Sequence, residues 1–267
     1  MTDLNKLLKW FTDKDSVLVS LSGGVDSALV AYAAKKELNK NAIAVTADYK
    51  TLSSDELDSA KIIAQEIGIT HKIIEYSELD NENFVKNDKK RCFYCRDELS
   101  NKLLETAHSL EINTVVDGTQ SDDMGDYRPG IDALHGHGIR SPLLETQFTK
   151  GQVRKTAKSV GLSIFDKPSN SCLASRIPWG QRVTAEKLAR IEMGEKIIKQ
   201  KIGIQQVRVR DINGIARIEV EHDNLQLLND PDMKNEIFSK LTMIGFSEVE
   251  IDPDGYKSGK LNIIYEN

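Results

Sequence analysis

The amino-acid sequence predicts an α/β protein, with a doubly wound parallel sheet followed by a smaller C-terminal α+β domain. Three observations lead to this fold class. Short apolar runs alternate with stretches of helical length over the first two-thirds of the chain. Glycine-containing turns follow the apolar runs at 16–21 and 113–117, as in βαβ units. The last third instead pairs two strand-like runs around an Asn-Gly turn.

The elements of the first two-thirds follow from these patterns. Strands are predicted over 16–21, 42–47, 71–75 and 113–117, and helices over 26–38, from a cap at Ser53 or Ser54 to Ile67, and over about 94–109. Right-handed crossovers would place helices on both faces of the sheet. The binding crevice of such a sheet lies at the carboxyl ends of its strands. The turns after the first and fourth strands are therefore candidates for a site.

The remainder of the chain predicts a connector and a second domain. Weak periodicity and the prolines Pro168 and Pro178 are typical of a connector over 161–183. Next come a helix capped by Thr184, strands over 205–210 and 215–220 joined by a turn at 211–214, a helix near 231–244 and a strand near 247–251. We therefore predict three parts, which are an α/β domain (1–165), a connector (166–183) and an α+β domain for substrate binding or oligomerisation (184–267).

Composition and charge narrow the functional classes. The 267 residues carry a formal net charge of −5. Proteins that bind nucleic acid usually carry a basic surplus, so this balance disfavours DNA or RNA as a partner. No apolar run approaches the ~18 residues of a membrane helix, and the N-terminal segment lacks the apolar stretch of a signal peptide. We expect a cytoplasmic protein without a membrane partner.

The turn after the first strand has the chemistry of a phosphate-binding loop. Gly23 and Gly24 allow the backbone to approach phosphate oxygens closely, and the following helix offers N–H groups at the positive end of its dipole. Ser22 and Ser27 add hydroxyl donors, and Asp26 would hold Mg²⁺ against the same oxygens. The loop lacks the Gly-Lys-Ser/Thr ending of a P-loop and suits pyrophosphate better than a γ-phosphate. A turn that merely joins a strand to a helix is the alternative.

Three cysteines form the second candidate group. Cys92 and Cys95 make a Cys-x-x-Cys pair at the start of a predicted helix, where the dipole and neighbouring arginines lower thiol pKa values. Such a pair is shared by redox, zinc and iron–sulfur sites, and three unrelated cysteines are also an option. Together with Cys172, the pair would suit an iron–sulfur cluster, which tolerates three thiolates and leaves one iron open to a further ligand such as hydrosulfide.

The phosphate loop resembles the PP-loop of N-type ATP pyrophosphatases, which implies an ATP-dependent enzyme that activates its substrate with AMP. Other blocks of the sequence resemble the LarE-type ATP-dependent sulfur transferases of that superfamily. These blocks are Lys167-Pro-Ser-Asn-Ser-Cys-Leu-Ala-Ser-Arg-Ile-Pro-Trp-Gly180, Asp117-Gly-Thr119, Asp126-Tyr-Arg-Pro-Gly130, Val207-Arg-Val-Arg210 and Gly255-Tyr-Lys-Ser-Gly259. They occur in order from residue 22 to residue 259, so the resemblance covers nearly the whole chain.

The resemblance implies a specific reaction. Enzymes of this family adenylate a carboxylate of pyridinium-3,5-biscarboxylic acid mononucleotide and convert it to a thiocarboxylate for a nickel-pincer cofactor. Some members take the sulfur from the cysteine that matches Cys172, which is left as dehydroalanine. Members with all three cysteines hold a 4Fe–4S cluster that carries exogenous sulfide. This sequence has all three, so we favour the cluster over the sacrificial cysteine, and we expect a homo-oligomer.

The resemblance also implies roles for individual residues. Catalysis would involve Cys172, Asp26 and Arg176, with Cys92, Cys95 and Cys172 as cluster ligands. ATP and Mg²⁺ would be bound by the phosphate loop together with Asp48, Gly118 and Arg128. The substrate would be bound by Glu195, Arg208 and Arg210, the two arginines holding its phosphate. A solvent-exposed strand face is the alternative for that arginine pair.

Other functions remain open at this point. A tRNA thiolation enzyme would use the same loop and the same cysteines. A non-catalytic iron–sulfur carrier would bind a cluster without ATP turnover, and an amidotransferase-type synthetase would leave the cysteines unexplained. His135 and His137 resemble a metal pair, but such residues more often lie in loops, and we assign them no role.

Overall fold

The computed structural model describes residues 2–125 and 129–257 and divides the chain into two compact units. Unit 1 comprises Met1–Glu78 and Lys90–Asn170, and unit 2 comprises Leu79–Lys89 and Ser171–Asn267. Within the described ranges, no helix has the length and apolar character needed to cross a membrane.

Helices and strands alternate through unit 1 as far as its fourth strand, after which three helices follow in the described residues, and unit 2 combines a small sheet with two long helices. The helices are α1 (Asp3–Phe11), α2 (Val25–Leu38), α3 (Ser54–Ile67), α4 (Glu82–Val85), α5 (Arg91–Ser109), α6 (Pro129–Gly136), α7 (Pro142–Glu145), α8 (Lys150–Ser159), α9 (Ala185–Ile202) and α10 (Pro231–Met243). The strands are β1 (Val17–Ser20), β2 (Ala42–Asp48), β3 (Thr70–Glu75), β4 (Thr114–Val116), β5 (Val207–Ile212), β6 (Ile215–Val220) and β7 (Glu248–Ile251).

Unit 1 is built on a four-stranded parallel sheet with the order β3-β2-β1-β4. Because β1 pairs with β2 on one side and with β4 on the other, the strand order reverses beside β1. The carboxyl ends of β1 and β4 thus meet at a topological switch point, where ligands bind in open α/β sheets. This arrangement confirms the predicted fold class.

The sheet of unit 1 is covered on both faces. Val17 and Val19 of β1 belong to an apolar cluster with residues of α1, α2 and α8, whereas Leu18 belongs to another cluster with residues of α5. Successive strand residues point to opposite faces, so the alternation places helices on both sides of the sheet. The residues Val17–Val19 of β1 are all apolar because both faces of this strand are buried, whereas the edge strand β3 carries polar and exposed residues.

Unit 2 contains a separate three-stranded sheet with the order β5-β6-β7. The antiparallel pair β5–β6 is joined by Asn213 and Gly214, whose φ angles are 52° and 92°. Two successive positive φ angles define the type I′ turn that favours an Asn-Gly sequence. The sequence predicts a strand over 205–210 and a turn over 211–214, but β5 begins at Val207 and continues to Ile212, so the loop has only two residues. The strand β7 adds to β6 in parallel.

Candidate functional site

The turn between β1 and α2 has its own network of hydrogen bonds. The Ser27 hydroxyl accepts a hydrogen bond from the Ser22 backbone N–H at 3.1 Å and donates to the Gly24 carbonyl at 3.1 Å. Gly24 is the N-cap of α2, and no side chain caps the helix there. The first turn of α2 therefore presents backbone N–H groups and the positive end of its dipole beside the loop.

Two glycines are required by close packing around this loop. Gly23 has a φ of 78°, and a Cβ atom at this position would collide with the backbone oxygen of Glu56 in α3. Gly118, which follows β4, lies so close to α2 that a Cβ would be 2.6 Å from the Ser27 backbone nitrogen. The loops after β1 and β4 therefore touch at the switch point, as their places after the two strands predict.

Asp26 lies in the first turn of α2 and forms an ion pair with Lys150 of α8. Burial raises the pKa of Asp26, and the nearby Asp123 raises it further, while the hydrogen bond and charge of Lys150 lower it. The Oδ1 atom of Asp26 is buried and accepts no hydrogen bond in the described part of the chain. A buried carboxylate oxygen without a donor fits a divalent cation, because Mg²⁺ prefers such ligands.

Two more aspartates lie at the carboxyl ends of strands of the same sheet. Asp117 is buried and accepts hydrogen bonds from the hydroxyls of Thr119 and, at 2.6 Å, of Ser141. It therefore shapes the turn that contains Gly118. Asp48 is the last residue of β2 and is half-buried. Arg128, for which we predicted a role in nucleotide binding, lies outside the described residues.

The cysteine pair lies at the N-terminus of α5, which begins at Arg91, three residues before the predicted start at 94. Cys92 is exposed and Cys95 is partly buried, and their spacing places both on one face of the first turns. No side chain caps this helix end. Cys172 belongs to unit 2 and is partly buried. Among the described residues, no three His, Cys, Asp or Glu side chains form a group that could hold a metal ion.

Cys172 is the N-cap of a short 3₁₀ helix (Leu173–Arg176), and we call these residues together the Cys172 turn. The side chain of Arg176 stabilises this turn through hydrogen bonds. The Arg176 side chain is fully buried, and its Nη1 donates to the carbonyls of Ser171 and Cys172 at 2.5 and 3.0 Å. Its Nε and Nη2 donate to the two carboxylate oxygens of Glu195 at 2.8 and 3.0 Å. Glu195 also accepts from the Val209 N–H at 3.2 Å. This ion pair therefore fixes the backbone around Cys172.

Arg208 and Arg210 of β5 are 3% and 5% exposed, so the solvent-exposed strand face that we considered is excluded. Arg210 donates to Glu219 at 2.7 Å and to the Ser175 carbonyl at 2.9 Å. Burial lowers the pKa of Arg208, as do Arg176 and Arg210, while Glu195 raises it. Among the described residues, Arg176, Arg208 and Arg210 thus form a buried cluster with Glu195 and Glu219. Guanidinium groups of this kind suit an anion such as a phosphate or a carboxylate.

Comparison with known proteins agrees with this geometry. The family model for asparagine synthase matches residues 12–103, which include the phosphate loop and the cysteine pair. The chain is 32% identical to the pyridinium-3,5-bisthiocarboxylic acid mononucleotide synthase of Lactiplantibacillus plantarum over 94% of this chain and 90% of that protein. The chain belongs to the LarE-type ATP-dependent sulfur transferases of the PP-loop superfamily. It is thus an ATP-dependent sulfurtransferase.

Two other relatives of this LarE-type enzyme are uncharacterized proteins. One, from Synechocystis sp., is 41% identical over 97% of this chain and 96% of its own length. The other, from Methanocaldococcus jannaschii, is 28% identical over 95% of both chains.

Sequence reasoning missed several residues that contact the phosphate loop and the first turn of α2. Lys150 was not singled out, although the capping box of Thr149 and Gln152 marks the start of its helix and was visible in the sequence. Its pairing with Asp26 joins positions 124 residues apart, which no local pattern reveals. No local pattern reveals the hydrogen bond from Lys167 to the Gly23 carbonyl of the phosphate loop either.

Asn87 is a further residue that sequence reasoning missed. Its fully buried side-chain amide donates to the backbone carbonyls of Pro178 and Gln181, each at 2.7 Å. The backbone carbonyl of Asn87 accepts from the Gly180 N–H at 2.9 Å. Asn87 therefore connects the segment 79–89 by hydrogen bonds to the loop that follows the Cys172 turn. Its φ of 58° is left-handed, a conformation that asparagine tolerates better than most residues.

We expect Asn87→Ala to lower the free energy of unfolding of unit 2 by about 2–4 kcal/mol, because buried carbonyls lose their donor and alanine disfavours the backbone conformation. Asn87→Gly should cost about 1 kcal/mol less, since glycine accepts this φ. Urea titration followed by Trp179 fluorescence, in a Trp10→Phe background, reports on unit 2. Asn83→Ala, at an exposed position of α4, is the control, and equal stability of all three variants would refute the role of Asn87.

Proposed function

We propose that this enzyme adenylates a carboxylate of pyridinium-3,5-biscarboxylic acid mononucleotide and converts it to a thiocarboxylate in the biosynthesis of a nickel-pincer cofactor. The similarity along nearly the whole chain to the mononucleotide synthase supports this substrate. The observation that carries the proposal is the cluster of buried arginines around the Cys172 turn, since the substrate is a small molecule with phosphate and carboxylate groups.

In the first step, the phosphate loop binds the β- and γ-phosphates of ATP, and Asp26 holds Mg²⁺ there. Asp48, Gly118 and Arg128 complete the nucleotide site. A carboxylate oxygen of the substrate attacks the α-phosphorus, the bond to the bridging oxygen breaks, and pyrophosphate leaves with the bonding electrons. The backbone N–H groups at the start of α2 stabilise the negative charge that the leaving group gains.

In the second step, sulfur replaces AMP on the activated substrate. A sulfur nucleophile attacks the acyl carbon, and the acyl–oxygen bond to AMP breaks. Arg208 and Arg210 bind the substrate phosphate, while Arg176 and Glu195 hold the Cys172 turn in place. A thiocarboxylate and AMP are the products, and no oxidant is needed.

We further propose that Cys92, Cys95 and Cys172 ligate a 4Fe–4S cluster that receives external sulfide. Three cysteine thiols are a donor set that such a cluster takes, and Cys92 and Cys95 lie one turn apart at the N-terminus of α5. A cluster with three thiolates would supply an open iron to carry hydrosulfide. Sacrifice of Cys172 to dehydroalanine is the alternative source of sulfur. A homo-oligomer is part of the same proposal.

The second candidate function is tRNA thiolation, and ATP–pyrophosphate exchange separates the two. We expect the dicarboxylate mononucleotide to stimulate incorporation of labelled pyrophosphate into ATP, and tRNA to have no effect. The net charge of −5 supports this expectation, since phosphate neutralisation contributes much of the affinity for RNA. Exchange that responds to tRNA alone would refute the proposed substrate.

A further inference from the structure

The backbone carbonyl of Gly23 in the phosphate loop is held by two side chains from outside the loop. Ser59 Oγ of α3 donates to this oxygen at 3.1 Å, and Lys167 Nζ donates to it at 2.8 Å. A carbonyl oxygen has two lone pairs, so these donors use its full capacity. The phosphate loop is therefore fixed at a specific peptide group, and by residues that take no part in the loop motif itself.

The orientation of this peptide determines where the Gly24 N–H points. The peptide bond between Gly23 and Gly24 is planar and trans, so its C=O and N–H point in opposite directions. Donors that hold the oxygen on one side thus turn the Gly24 N–H to the other. Glycine on both sides of the bond leaves little steric resistance to rotation of this peptide. An external anchor is therefore needed to keep a single orientation.

Lys167 is itself held in place by a second partner. Its Nζ forms an ion pair with Glu56 Oε2 at 2.9 Å, and the other oxygen of Glu56 accepts from the Asn170 side-chain amide at 3.2 Å. The side chains of Lys167 and Glu56 are 23% and 13% exposed. The ammonium group is thus confined between a carboxylate and the Gly23 carbonyl, as a positioning role requires.

We propose that Lys167, together with Ser59, is a positioning residue of the phosphate loop. Both side chains donate hydrogen bonds to the Gly23 carbonyl and thereby keep the Gly24 N–H pointing toward bound pyrophosphate. The inference rests on the proposed function, because it takes pyrophosphate as the ligand of this loop. Lys167 and Asn170 lie shortly before Cys172 along the chain. The residue that holds the phosphate loop and this cysteine therefore belong to one short segment of the sequence.

The test measures the affinity of the whole protein for Mg²⁺-pyrophosphate and, separately, for AMP by titration calorimetry. Lys167→Met keeps the apolar stem but removes the ammonium, and we expect pyrophosphate to bind about tenfold more weakly. Ser59→Ala should weaken it about threefold with no change of charge, which separates peptide orientation from simple electrostatics. The affinity for AMP should stay within about twofold, because AMP lacks the β- and γ-phosphates that this loop binds.

Two further variants complete the comparison. Lys167→Arg should restore most of the pyrophosphate affinity, and Lys155→Met, at an exposed site in α8, should leave it unchanged. Wild-type affinity for pyrophosphate in both Lys167→Met and Ser59→Ala would overturn the inference, as would an equal loss of AMP affinity in both. A wild-type protein that binds no pyrophosphate would instead overturn the proposed function.

Discussion

Replacing Arg176 with methionine is expected to lower the free energy of unfolding of unit 2 by about 3–5 kcal/mol. Methionine fills much of the same volume but leaves Glu195 buried without its counter-charge. The carbonyls of Ser171 and Cys172 lose their donor in the same variant. Removing one member of a buried pair costs more than the pair contributes, because the remaining charge cannot reach water.

A double variant and a matched control make this prediction specific. In Arg176→Met/Glu195→Leu no buried charge remains unpaired, so much of the lost stability should return. Arg182 and Glu82 form a similar bidentate pair at exposed positions, and Arg182→Met should leave the urea transition unchanged. Equal transitions for Arg176→Met and Arg182→Met would show that the buried pair has no special role.

The second large effect is expected at Asp26. We expect Asp26→Asn to slow ATP–pyrophosphate exchange by at least about 100-fold, equivalent to about 2.7 kcal/mol, because the amide cannot hold Mg²⁺ against the phosphates. Stability should not fall with activity. Burial already raises the pKa of Asp26, so the neutral side chain relieves an unfavourable charge.

The control for Asp26 is Asp58→Asn, on the exposed surface of α3, which should retain wild-type exchange. Mg²⁺ titration of the exchange rate adds a second readout. The Asp26→Asn variant should need a higher concentration of Mg²⁺ for half-maximal rate. Wild-type exchange in Asp26→Asn would remove this residue from the nucleotide site.

Much of unit 1 was predictable because its signals are local. Apolar runs of strand length gave β1 to β4 within one or two residues, and Asn213-Gly214 gave the hairpin of unit 2 through the conformations that only such residues readily adopt. The phosphate loop was found for the same reason, since its glycines and hydroxyls are adjacent in sequence.

What escaped prediction depends on contacts between distant positions. Asn87 contacts Pro178, 91 residues away, so nothing near it in sequence assigns the segment 79–89 to unit 2. Arg176 lies within a connector-like stretch, where an arginine is usually exposed, and only the fold shows it buried against Glu195. The helix α1 was also missed, although Thr2 caps it and Leu7 and Phe11 lie on its buried face.

The most direct test of sulfur transfer to an activated carboxylate uses anaerobically purified protein with ATP, Mg²⁺, the dicarboxylate mononucleotide and isotopically labelled sulfide. Mass spectrometry then follows the small-molecule product and the intact protein together. We expect the product to exchange one carboxyl oxygen for labelled sulfur while the protein keeps its mass. Unlabelled sulfur in the product, with loss of H₂S from the protein, would identify Cys172 as the donor. A product without any sulfur, formed while ATP is consumed, would contradict the proposed function.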